Sequence, residues 1–293
     1  MNTKIIFSII GTVLAIVGLV IVLGVSDSLD TDILGLALFV GGCAVGLMLT
    51  KAPAIAWREL SSYFVSPIAY ILIAAYLVVI ALIFNFSVLA SQRAELEPLF
   101  GSMTFVLLFF CPVITMRLIS EEARSGTLET MLTLPITDAE LAVGKFIGGF
   151  AFFVALHVPT LVFVYVIGRQ ASLDYGTIAA SYGGLLLMGT LFISVGLFIS
   201  SLTENQVIAA FLGIVANLAL LLTGTLGRLI RAESTIFGLE VDLGAMIRYA
   251  SVGEHYLDFT RGIVSSQHVL YYITVSVFFL FLTVRMLESH RWR

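Results

Sequence analysis

Eight apolar runs alternate with polar stretches along the chain: 5–25, 33–50, 68–90, 99–119, 146–168, 177–202, 207–223 and 268–286. Each is roughly 20 residues long with few or no charges, the length an α-helix needs to cross the hydrocarbon core of a bilayer. Most connections between the runs are short. Two are not: 120–145 on one side of the membrane and 224–266 on the other. The stretch Ser120 to Lys145 is charged, helix-capable and bounded by spans on both sides. So apolar a chain keeps its connections short unless something outside the membrane grips one of them, and this segment reads as a handle.

Within the handle, Glu121, Glu122 and Arg124 extend the fourth span as a polar helix, and Gly126 breaks it. Thr127 to Leu132 then predicts a short crosswise helix with Leu128, Met131 and Leu132 on one side and Glu129 outside that stripe. Pro135 stops it. Thr137 and Glu140 have the capping-box spacing, which starts the next helix. A crosswise helix at the foot of two spans can pass a push from a soluble partner into both. A well-capped loop with no partner fits the same residues.

Residues 54–66 are too polar to span. On a helix, Trp57, Leu60 and Phe64 share a face, while Arg58, Glu59, Ser62 and Ser66 fall elsewhere. That predicts an amphipathic helix lying in the interface plane, with Pro67 marking a break before the third span. Residues 1–52 form a separate hairpin of two spans. Its second helix carries small residues four apart, Ala37/Gly41 and Gly42/Gly46, a spacing that lets helices approach closely; ordinary glycine usage explains it equally well.

Composition agrees with the pattern: 59% of residues are hydrophobic and 12% charged, against about 25% charged in soluble domains. The fold class expected is an all-α polytopic membrane protein. The first run is longer than the roughly 7–15 residues of a signal-peptide core, and Leu23 to Ser26 lacks a clean cleavage site. It reads as an uncleaved helix. With both termini inside, nine Lys and Arg residues lie on the cytoplasmic face and six outside, four of those six in the long outer loop. That distribution follows the positive-inside rule. Eleven acids lie outside against those six bases, and nothing suggests nucleic-acid binding. Cys43 and Cys111 both fall inside spans, so neither a disulfide framework nor a thiolate zinc site is expected.

Few polar groups interrupt the spans. His157 stands two residues before Pro159 in the fifth, and an ionisable group there is a functional candidate. The plainer reading, a neutral histidine bonding a carbonyl freed by the kink, is preferred. Pro112 offers a matching bend in the fourth span. Asn85 and Asn217 are expected to be buried and bonded across helices. No chain of Asp, Glu and His marks a proton relay, which counts against an ion-coupled secondary transporter or channel. Outside, Ser251 and Glu254 repeat the capping-box spacing, with Val252, Tyr256, Phe259 and Ile263 along one stripe of the helix they start. Glu254, His255 and Asp258 could offer metal ligands on adjacent turns. Arg261 supplies an ordinary salt-bridge partner instead, and no metal is expected.

The block Glu121 to Thr137, followed by Gly144-Lys145-Phe146, resembles the hallmark of type-2 ABC transporter permeases, most of all the gliding-motility-type permease subunits of bacteria. Trp57 to Leu60 with Ser66-Pro67, Ser200 to Gln206, Ser251 to Gly262 and Leu287 to Trp292 support the likeness, which covers about residues 53–293. It implies a six-helix exporter transmembrane domain over 53–293, to which the hairpin 1–52 is an addition. It also implies that Gly126 to Leu134 is a coupling helix docking on a nucleotide-binding subunit, with Glu204 and Asn205 in a second, smaller contact. ATP and magnesium would then sit on that partner, because the chain has no GxxxxGK[ST] loop. A second permease subunit, identical or different, would complete the complex in the bacterial inner membrane, among lipid. Its work would be export; a complex that transmits force to envelope or gliding machinery is the alternative.

Overall fold

The computed structural model describes residues 51–91, 97–169, 173–229, 233–236, 239–242 and 250–291. The amino-terminal hairpin expected over the first two apolar runs lies outside them. Eleven α-helices are described: α1 Ala52–Val65, α2 Pro67–Ser91, α3 Glu97–Thr115, α4 Ser120–Ser125, α5 Thr127–Leu132, α6 Asp138–His157, α7 Leu161–Gly168, α8 Tyr175–Leu202, α9 Gln206–Leu229, α10 Val252–Thr260 and α11 Ser266–Arg291. Among the described residues, six stretches are long and apolar enough to cross a membrane: Pro67–Phe86, Pro98–Ser125, Asp138–Gly168, Tyr175–Leu202, Gln206–Leu229 and Ser266–His290. The protein is an all-helical, multi-pass membrane protein. One small departure is an antiparallel pair, β1 Glu233–Ile236 with β2 Leu239–Asp242, in the long loop after α9.

Burial separates the helices into an inside and an outside. In α8, 72% of the membrane window is buried, in α2 only 17%. α8 packs against α11, α3, α9 and α10, and so forms the axis of the bundle. α2, α9 and α11 turn most of their apolar surface outward, including Val78, Phe86, Phe211, Val215, Val277 and Phe281. In a bilayer that surface faces lipid without cost.

Local chemistry places the breaks. α1 stops at Val65 and α2 begins with Pro67, around the extended Ser66. Gly126 adopts φ +72°, a left-handed turn that only glycine makes without a Cβ clash, and it swings α5 away from α4. The Thr137 capping box forms in full: Thr137 Oγ1 accepts from the Glu140 N–H at 3.2 Å, and Glu140 Oε2 accepts from the Thr137 N–H at 2.9 Å. The second capping box forms by half. Ser251 Oγ accepts from the Glu254 N–H, but the Glu254 carboxylate turns to Arg228 on α9. Pro159 sits in a 3₁₀ turn, Val158–Thr160, that divides the span into α6 and α7. Beyond Pro112 the fourth span is interrupted at 116–119, and Pro112 itself packs on Gly213 of α9, where a Cβ would lie 2.9 Å from its own Cβ.

Candidate functional site

The charged residues gather at the α5 end of the bundle, and glycine makes that possible. α1 lies directly on α6 because Gly144 and Gly148 leave a groove: a Cβ at Gly144 would sit 2.7 Å from Ile55 Cβ, and one at Gly148 2.6 Å from Glu59 Cβ. The buried face of α1 is therefore Ala52, Ile55, Ala56 and Tyr63, with Glu59 turned inward beside them. The aromatic face expected to meet the membrane interface lies on the other side of the helix. Trp57 and Phe64 point outward, and Leu60 is half-buried against the core. The tight contact with α6, more than the membrane surface, sets how α1 is rotated.

Between the two glycines stands Lys145, fully buried. Its Nζ lies 3.1 Å from Glu59 Oε1 on α1 and 2.7 Å from Glu122 Oε2 on α4, and it donates to the Leu118 carbonyl. Arg58 shares both carboxylates, at 3.1 Å from Glu59 Oε1 and 3.2 Å from Glu122 Oε1, and it also reaches the Met131 sulfur on α5. Two cations face two anions, so the cluster is neutral as a whole. A buried ion pair adds little net stability, but losing one partner leaves an uncompensated charge. The cluster therefore acts as a clamp across α1, α4, α5 and α6.

Two further contacts close this end. Ser200 Oγ on α8 accepts from the N–H groups of Ile119 (3.2 Å) and Ser120 (3.1 Å), which fixes where α4 begins. Tyr63 stacks on Phe152 with centroids 4.5 Å apart, donates to the Ile114 carbonyl at 2.6 Å and lies under the Arg117 guanidinium. Burial pushes its hydroxyl up from the usual tyrosine range, so it stays a donor. Arg117 in turn pairs with Glu121 at 2.9 Å. Between α1, α4 and α5 a cleft of about 600 Å³ opens, lined by Arg58, Glu121, Thr127, Thr130 and Leu134 among others.

α5 has the two faces its pattern predicts. Leu128 and Met131 are buried and Leu132 is half-buried, while Thr127, Glu129 and Thr130 are exposed, as are Arg124 before it and Thr133, Leu134 and Pro135 after it. Across the same end, Glu204 is exposed. Asn205 caps its own helix, its Oδ1 accepting from the N–H groups of Val207 (2.9 Å) and Ile208 (3.4 Å) at the start of α9. α4 packs on both α8 and α9, the two helices that the Glu204–Asn205 turn joins.

The predicted residues within the spans stand apart from this end. Nδ1 of His157 lies 2.8 Å from the Phe153 carbonyl and Nε2 lies 2.7 Å from the Tyr76 hydroxyl. A carbonyl only accepts, so Nδ1 carries a hydrogen. His157 is thus a buried residue with both ring nitrogens hydrogen-bonded, although the carbonyl it uses is not the one Pro159 frees, which belongs to Ala155. Asn85 is exposed, which corrects its expected burial. Asn217 is fully buried, but neither of its side-chain atoms has a hydrogen-bond partner among the described residues, so it makes no cross-helix bond to them. The triad Glu254, His255 and Asp258 is split: Glu254 pairs with Arg228, and Asp258 with His268 and Arg261. Among the described residues no group of three or more His, Cys, Asp and Glu is placed to hold a metal.

Residues 50–229 match the family model described as ABC-2 type transporter. The chain belongs to that family. Its members are permease components of ABC transporters: membrane subunits, generally without catalysis of their own, that normally work with an ATP-binding subunit. No curated protein matches the chain. In this ABC-2 permease the clamp is the feature that residue patterns pass over. By pattern alone Lys145 is part of a motif and Glu59 a polar position, nothing more. The available signal is the Gly144-x-x-x-Gly148 spacing, which announces a close helix neighbour.

Proposed function

We propose that this chain is the transmembrane subunit of an ATP-driven exporter, and that α5 is the coupling helix on which a separate ATP-binding subunit docks. One observation carries the reading: α5, with an exposed polar face, touches through Met131 the Arg58 of a charge clamp, centred on buried Lys145, that reaches three other helices at once. A push on α5 is delivered through Glu122 to α4 and so to α3, through Lys145 to α6, and through Glu59 and Arg58 to α1 and so to α2. Interfaces as tightly packed as α1 on α6 move as a body rather than deform. The partner binds ATP and magnesium and hydrolyses the nucleotide. This chain supplies the moving wall. Export through a pair of such subunits, in a bacterial inner membrane with α5 on the cytoplasmic side, fits the positive-inside count, and the handle residues resemble those of gliding-type permeases.

Co-purification with a co-expressed ATP-binding subunit tests the reading. Because Leu132 faces inward, the informative pair is Glu129→Lys with Leu134→Asp, both on the exposed face. The expected outcome is loss of the partner and of its membrane-stimulated ATPase activity, with insertion unchanged. Full retention of both would overturn the assignment of α5. ATP-dependent movement of a co-purifying lipid or solute in vesicles then separates export from force transmission, which predicts none.

A further inference from the structure

At the end of the bundle away from α5, two histidines meet. His255 on α10 is 5% exposed, and its Nδ1 lies 2.6 Å from His268 Nδ1 on α11. His268 Nε2 lies 2.8 Å from Asp258 Oδ2, one turn along α10. The His255 ring packs on Tyr271 with centroids 4.2 Å apart. We propose that His255, His268 and Asp258 form a proton-operated latch that fastens α10 to α11.

The tautomers follow from the contacts. The Asp258 carboxylate accepts, so His268 Nε2 carries a hydrogen. The bond between the two Nδ1 atoms then needs one hydrogen shared between them: one nitrogen donates and the other accepts. A second proton places a hydrogen on both Nδ1 atoms. No acceptor remains, two N–H groups oppose each other across a contact of hydrogen-bond length, and the His268 ring is now an imidazolium. The bond therefore exists only while one Nδ1 carries a hydrogen and the other does not, and it is lost as falling pH protonates both. Imidazole is the side chain whose charge changes nearest neutral pH, so acid is the signal this contact reads. Asp258, about one-third exposed, gives protons a way in.

The surrounding groups leave the histidines as the switch. On α10, Glu254 pairs with Arg228 of α9, and Arg261 approaches Asp258 at 4.0 Å. On α11, the Tyr271 and Tyr272 hydroxyls donate to the carbonyls of Ala250 (2.6 Å) and Val252 (2.8 Å). From α8 come Asp174, held by Thr177 and Gly176, and Tyr182, bonded to Thr160. None of these is an imidazole. α10 is otherwise fastened by Phe259, wedged where a Cβ on Gly184 of α8 would lie 2.6 Å from Phe259 Cβ. Release of the latch frees the α11 side of the helix while that wedge stays. On the proposed topology this is the outer face, so outside acidity would loosen a cap over the bundle. The latch itself does not depend on the permease reading.

Hydrogen exchange of the full chain in lipid nanodiscs tests it, with amides 252–260 followed at pH 8 and pH 5.5 and rates corrected for the chemical effect of pH. Loss of this largely buried hydrogen bond should lower protection there about tenfold at pH 5.5, and His255→Phe should abolish the difference. If that variant does not fold, His268→Gln is read in the same way. Equal protection of the unmodified chain at the two pH values would overturn the latch, as would an unchanged pH response in either variant.

Discussion

The two ends of this molecule use ionisable groups in opposite ways. At the α5 end, Lys145 and Arg58 meet Glu59 and Glu122 in opposite-charge pairs that tie several helices together. At the other end, His255 and His268 share a bond that one added proton can break. The first arrangement suits a part that must carry a push without yielding. The second suits a part that must let go. A bundle of apolar helices can thus have a stiff end and a releasable end by the choice of side chain alone.

The comparison breaks hardest at Lys145. Lys145→Ala should destabilise the protein by about 3–5 kcal/mol, because it leaves two carboxylates without their buried cation. Thermal unfolding in detergent reads this. Lys145→Met combined with Glu59→Gln and Glu122→Gln removes the charges together and should recover most of the loss, while Arg58, half-exposed, stays solvated. If the triple variant is as unstable as the single one, the clamp is not electrostatic.

Next comes the glycine groove. Gly144→Ala puts a methyl 2.9 Å from the Ala52 carbonyl as well as against Ile55. Backbone must shift, at a cost of about 1–3 kcal/mol. A cysteine pair engineered between α1 and α6 should cross-link less efficiently in that variant. Gly101, where a Cβ would meet nothing within 4 Å, is the control that should tolerate alanine.

Smaller still is the cap of α6. Thr137→Ala removes one half of a complete capping box and should cost about 1 kcal/mol. Exchange of the first-turn amides of α6 should rise, while α10 is unaffected.

The smallest effect sharpens the pH argument. The Thr177 hydroxyl, and after it the Gly176 N–H, hold the Asp174 carboxyl below the usual aspartate range at the start of α8. A lowered value means its contribution is complete above the unfolded pKa of about 3.9 and is lost only as pH falls through the lower folded value. Between pH 8 and 5.5, exchange at the α8 N-terminus should therefore stay flat while α10 responds. A response at α8 in that window would mean that the acid effect is general and not seated in the histidines.

Much of the architecture is readable along the chain because its causes are local. Apolar run length marks a span, Pro67 and Gly126 mark breaks, and the Thr137 to Glu140 spacing marks a helix start; each needs only neighbours within a few residues. The two faces of α5 are readable for the same reason. The α1 face is not. Its rotation depends on Gly144 and Gly148, which lie more than 80 residues away in sequence, and Glu59 turns inward only because Lys145 waits there. Asn85 and Asn217 show the limit most plainly. Both are amides in apolar helices, yet one is exposed and the other fully buried. Hydropathy cannot separate a lipid-facing position from a core-facing one, since the two environments are equally apolar.

A bundle of membrane-crossing helices with a charged crosswise helix at one end is written into the order of residues. Run length, charge placement and capping chemistry suffice for that, since backbone hydrogen bonds in a membrane must close within each helix. Which charges meet is settled at the level of the packed helices. The pairing of Lys145 with Glu59 and Glu122, and of His255 with His268, depends on how those helices lie against one another. Packing of that kind is a property of surfaces, which no single stretch of sequence contains.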